Sequence, residues 1–155
     1  MKLFLGLETM LSKLIRKFLL VKEIKSKYGE VHFRRYRLLQ TPWFAIYIHK
    51  ICLSDMDLDM HDHPWNFASV ILEGAYHETS TYPPNFDVIH HRDCYSGDVI
   101  EHKAEDAHKI RLISNVVWTL VFTSGRNRYW GYQTRQGWIG NKEYRALKNE
   151  GKLGR

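Results

Sequence analysis

The stretch MHDHPWNFASVILEGAYHE, Met60–Glu78, decides how this chain is read. His61 and His63 sit two apart, just ahead of an apolar run with strand character that closes on Gly74. Side chains at i and i+2 of a strand share a face. Both imidazoles therefore aim at one spot, and a divalent metal is the usual partner for two converging neutral imidazoles.

Outward from this stretch the texture is that of an all-β domain. After residue 30, β-branched and aromatic residues dominate, as in VHFRRYRLLQ and WFAIYIHKIC. Further strands are predicted over Phe67–Leu72, Ala75–Thr81, Asp87–Tyr95, Asp98–His102, His108–Ile113, Val116–Phe122 and Tyr129–Thr134. LEG, YPPN, YSGD, SGRN and RQG punctuate them as turns. Many short strands without crossover helices predict an antiparallel sandwich or barrel. The five tryptophans scatter among these strands and read as core packing.

Upstream, residues 1–28 are predicted to form an amphipathic N-terminal α-helix. Leu3, Leu7, Met10 and Leu14 repeat at helical spacing, and Lys13, Arg16, Lys17, Lys22 and Lys25 make a basic face. Seven basic and three acidic residues give Met1–Glu30 a charge of +4 out of the chain's +6. The helix is read as a packing element or a homodimer contact, since charges interrupt it too often for a membrane span. Residues 29–140 form the expected barrel, and 141–155 a basic C-terminal tail with a short helix.

The 155 residues fit one domain with a sizeable core. The basic balance favours anionic partners. Cys52 and Cys94 match no zinc or redox spacing and read as reduced thiols of a cytoplasmic protein. Asp55, Asp57 and Asp59 alternate like the start of a calcium loop, but Met60 and Asn66 stand where its glycine and glutamate belong. They are assigned to a loop at the barrel mouth. His49, His90 and His91 read as core or surface residues, whereas His77 and His102 lie on strands that pass the His61–His63 pair. Arg126 and Arg128 read as solvated turn residues.

The spacing of His61, His63 and Gly74, followed by Gly97 and His108 in GDVIEHKAEDAHKI, resembles the two motifs of the cupin superfamily. The resemblance spans about residues 60–112. It implies a double-stranded β-helix, the cupin jelly roll, and a metal held by His61, His63 and His108. Phe67 stands where the family places a glutamate ligand, Lys103 and Glu105 replace a proline and a glycine, and Leu112 replaces an asparagine. The implied ligand set is thus three neutral histidines with open coordination positions. Such a site suits Fe(II), the favoured ion, or Zn(II), Ni(II) or Mn(II). The implied function is a metal-dependent enzyme acting on a small molecule, in the manner of an Fe(II) dioxygenase. The alternatives are a metal-dependent or metal-free sugar isomerase or epimerase, and a non-catalytic small-ligand-binding module. The expected partner is a small molecule, anionic by charge complementarity, rather than nucleic acid or membrane.

Overall fold

The computed structural model of the chain describes residues 20–25 and 29–153. Twelve strands appear among them: β1 (Leu20–Lys25), β2 (Val31–Gln40), β3 (Phe44–Ile51), β4 (Met60–His61), β5 (Phe67–Glu73), β6 (Ala75–Tyr82), β7 (Asn85–Tyr95), β8 (Val99–His102), β9 (Ala107–Leu112), β10 (Val117–Ser124), β11 (Gly131–Thr134) and β12 (Gly137–Gly140). A helix, α1 (Asn141–Asn149), follows. One sheet runs β1-β2-β3-β10-β5-β8 and the other β12-β11-β4-β9-β6-β7. From β3 to β11 the chain passes back and forth between the sheets, the winding of a jelly roll.

Two-residue periodicity explains how one barrel holds both a dry end and a polar end. On β6 the inward row is Tyr76, Glu78, Ser80; on β9 it is Leu112, Ile110, His108 in the opposing direction. Ser69 precedes Ile71 on β5, and Ile100 is followed by His102 on β8. Ile71, Tyr76, Cys94, Ile100 and Val117 form a closed apolar plug, with Ile51, Ile110 and Leu112 packed against it. Two residues further along each strand, about 6.6 Å, the same faces carry the polar side chains of the site. Burial pushes the Cys94 thiol pKa up to about 11, which fits a packing role.

The sequence reading of residues 1–28 as a helix is corrected where the chain is described. Leu20–Lys25 is a strand, antiparallel to β2, with Glu23 opposite Arg34 and their side chains in contact at 2.6 Å. The segment LVKEIK has no two-residue alternation of its own, and its pairing with the edge of β2 overrides the helical stripe. The remainder of the predicted helix lies outside the described residues. The C-terminal segment is more than a tail. Tyr144 of α1 is 1% exposed and stacks on Tyr132 of β11 at 3.7 Å between ring centroids. Its hydroxyl donates to Asp59 Oδ2 at 3.0 Å.

Gly74 makes the turn between β5 and β6 at a φ of +87°, where a Cβ would stand 2.3 Å from the Val116 carbonyl oxygen. Gly97 has a similar φ of +95° and open space around it. Gly74→Ala therefore combines backbone strain with a collision against main chain, and is expected to cost about 3 kcal/mol or more. Gly97→Ala is expected to cost about 1 kcal/mol. Urea denaturation of the two variants checks the difference, and equal costs would contradict the close approach at Gly74.

Candidate metal centre

His61 and His108 face each other as a cross-strand pair between β4 and β9. His63 follows two residues beyond the end of β4. The three rings converge: their centroids lie 5.0–5.1 Å apart, and one nitrogen of each falls within 4.8 Å of the others. His63 Nε2 and His108 Nε2 are 2.9 Å apart.

The residue between the two histidines sets their aim. Asp62 points away from them and is 2% exposed. Its Oδ1 accepts the Gly131 N–H at 2.6 Å, and its Oδ2 accepts from Arg128 Nη1 at 2.5 Å and Trp138 Nε1 at 2.8 Å. The backbone on either side is tied as well, Asp62 N to Gly131 O at 3.0 Å and His63 N to Ala104 O at 3.1 Å. Arg128, read from sequence as solvated, is thus a clamp on the histidine segment. A Cβ on Gly131 would lie 2.2 Å from the Ile139 carbonyl oxygen and 2.8 Å from the Trp138 ring, so glycine there lets β12 and Trp138 close on β11.

Behind His108 lies Glu78, 1% exposed on β6. Its Oε1 accepts from His108 Nδ1 at 2.6 Å and from His102 Nε2 at 2.8 Å. Its Oε2 accepts from Arg92 Nε at 2.7 Å. Burial alone would raise the Glu78 pKa. The hydrogen bonds and charge of His102 and His108 outweigh it and hold the carboxyl well below the usual range. An ionised carboxylate only accepts, so His108 carries its proton on Nδ1 and presents a bare Nε2 to His63.

Glu78, His102 and His108 also lie close enough to hold an ion. Their facing atoms are already joined through protons, however, and Arg92 supplies the counter-charge. The nitrogens of His61, His63 and His108 have no carboxylate between them. Two nitrogens each ~2.1 Å from one ion in adjacent positions are about 3 Å apart, which the 2.9 Å between His63 and His108 matches. The donor set fits a divalent transition metal.

Phe67, at the position where the resembled family has glutamate, puts its ring edge-on to His63 at 4.8 Å between centroids, and also borders His102 and His108. His102 faces inward, with its centroid 4.6 Å from that of His108. His77 does not reach the site: it lies on the outer face, bonded to Asp93 at 2.7 Å. His49, taken as core or surface, lies inside and accepts from Arg35 Nε at 3.0 Å. Asp57 and Asp59 bond Tyr132 and Tyr144 respectively, and Asp55 accepts from the Ile110 N–H at 2.8 Å. Glu78 and Asp62 escaped the sequence reading. The alternation after Gly74, which puts Glu78 on the face of Tyr76, was the available signal for the first.

Burial, ahead of neighbouring imidazole or positive groups, lowers the pKa of His63 and His49 well below the ordinary value, and burial lowers that of His108 against the opposing hydrogen bond of Glu78. These rings stay neutral in the fold while the unfolded chain takes up protons near pH 6.5. Their contribution to stability is complete above about pH 6.5 and is lost as pH falls below it. Urea midpoints measured from pH 8 to pH 5 should be level above about pH 7 and decline below 6.5. A midpoint that rises on acidification would contradict this assignment.

No known family model matches the sequence, and no curated protein matches it. Solved structures do match in fold. The crystal structure of Fe(II) HppE aligns with a TM-score of 0.53 at 12% identity, over 66% of this chain and 55% of that one. HppE in complex with substrate aligns at 0.52 and 12%, over 67% and 55%. Oxalate decarboxylase of Bacillus subtilis, studied for its Mn(II) centres, aligns at 0.54 and 12%, over 72% of this chain and 29% of that one. The chain thus spans about half the length of HppE, and less of oxalate decarboxylase. Strand order, winding between the two sheets and these neighbours agree: the chain has the cupin jelly-roll fold.

Proposed function

We propose that the chain holds one divalent metal ion through His61, His63 and His108 and acts on a small molecule in the mouth of the barrel. The observation that carries this reading is the 2.9 Å approach of His63 Nε2 to His108 Nε2, with Glu78 holding the proton of His108 on the far nitrogen. Fe(II) is the favoured ion, with Zn(II), Ni(II) and Mn(II) as the other candidates for neutral imidazole ligands. A bound ion supplies Lewis acidity and, as Fe(II), redox chemistry with oxygen.

The chain's own residues define what surrounds that chemistry. Glu78 fixes the tautomer of His108 and raises its basicity. Asp62 sets the aim of His61 and His63. Phe67 excludes water from one flank and offers no charge, so an ion there keeps its full +2 and attracts anionic groups. The redox-active, Fe(II) dioxygenase-like reading ranks first. The second reading is a metal-free isomerase or epimerase, favoured by the Glu78–His108 pair, in which His108 Nε2 would serve as an oriented base. A reduced-thiol, cytoplasmic setting belongs to the same proposal. Among the described residues no helix is long and apolar enough to cross a membrane.

Metal analysis of protein purified without a histidine tag tests the reading. One ion per chain is expected in the wild type, with strong loss in His61→Ala, His63→Ala and His108→Ala and retention in His90→Ala. Glu78→Gln is expected to weaken the ion's affinity by about 10- to 100-fold. Full retention in His108→Ala would overturn this ligand set, and a wild type that takes up no ion would favour the metal-free reading. Phe67→Glu adds a carboxylate beside His63 and is expected to hold the ion at least as tightly as the wild type in competition with a chelator. Weaker binding would mean that Phe67 is not adjacent to the ion.

A further inference from the structure

Arg34 and Arg35 are neighbours on β2 and point to opposite faces. Arg34 is satisfied outside, by Glu23 at 2.6 Å. Arg35 turns into the barrel from the sheet opposite the histidine cluster. Its Nε donates to His49 Nε2 at 3.0 Å. Its guanidinium lies over Tyr47 at 4.8 Å, Trp65 at 5.5 Å and Phe33 at 5.6 Å from the ring centroids. Trp65 is two residues beyond His63, and the positive charge of Arg35 is felt at the His63 ring.

This cation has no carboxylate partner among the described residues. Lys22 beside it is positive as well: burial, then Arg35 and Arg145, depress the pKa of Lys22. Burial likewise lowers that of Arg35, with Tyr47 as the only opposing influence. A guanidinium withdrawn from water without a counter-ion is unfavourable. One of its donors is used by a neutral ring, while its two Nη groups bond no described residue and are not sealed from solvent. An arginine kept for packing alone would be replaceable by an uncharged side chain. An arginine held by aromatic rings with its fork free is preorganised for an oxyanion.

We propose that Arg35 is the anion clamp of the barrel, its Nη groups taking the carboxylate or phosphoryl group of a small-molecule substrate whose other end faces His61, His63 and His108. His49 is its positioning residue. This assignment deepens the metal-dependent reading above and rests on it for the substrate's orientation.

Calorimetric titration of the full-length protein with oxalate, acetate, inorganic phosphate and methylphosphonate, at low ionic strength and constant chloride, tests the clamp. At least one of these anions is expected to bind the wild type. Arg35→Gln is expected to weaken it by about tenfold or more, with unchanged metal content and a thermal midpoint equal to or above the wild type's. Arg35→Lys should restore part of the affinity. Tighter binding of the carboxylates assigns a carboxylic acid, and tighter binding of the phosphorus anions a phosphoryl compound. Equal affinity in wild type and Arg35→Gln, or no binding of any of the four, overturns the clamp. Arg35-dependent anion binding in a protein that takes up no metal would uphold the clamp while overturning the metal reading.

Discussion

The carboxylate of Glu78 is the constraint from which the site's order follows. It sits 1% exposed in a barrel interior and accepts from His102, His108 and Arg92, which stand on three different strands. A buried charge with this many donors is tolerable only if all of them arrive together. The network therefore ties β6 to β7, β8 and β9 at one level of the barrel. It also decides which nitrogen of His108 is free. The ring that completes the histidine cluster owes its tautomer to a residue behind it that is not one of the three converging imidazoles.

Asp62 performs the corresponding task on the other side. His61 and His63 lie where the regular ladder stops, on a two-residue strand and the loop after it. Such a segment has little sheet to hold it. Its aim comes instead from the side chain between the histidines, locked by Arg128, Trp138 and the Gly131 backbone. Asp62, turned away from the cluster, and Glu78, behind His108, thus fix three imidazoles that converge on one another.

Much of this was legible in the sequence, for identifiable reasons. The strands from β5 to β10 alternate cleanly and are bounded by glycine and proline turns, so their limits fall within a few residues of the prediction. His61, His63 and His108 were recognisable by spacing, because the spacing reflects the cross-strand pairing of His61 with His108. Less legible were residues whose role depends on a partner far along the chain. Arg128 and Trp138 look like turn and strand residues until Asp62 is placed between them. Leu20–Lys25 carries a helical stripe and no alternation, and only its pairing with the edge of β2 makes it a strand. His49 offered no local signal at all, since its partner Arg35 comes from a different strand.

The apolar plug and the polar network behind the histidine cluster share strands, two residues apart: Tyr76 and Glu78 on β6, Ile100 and His102 on β8, with the flanking Ile110 and His108 on β9. That arrangement makes the cluster a reporter of assembly. Slippage of β6 against β9 by a single residue would bring His77 and Thr79 inside and send Glu78 out to solvent. The plug would lose Tyr76 in the same movement. A misthreaded barrel therefore cannot keep a sound core and a faulty cluster, or the reverse. The greasy end of the molecule proofreads the polar one, and a chain that has closed its hydrophobic floor has already set the alignment its imidazoles need.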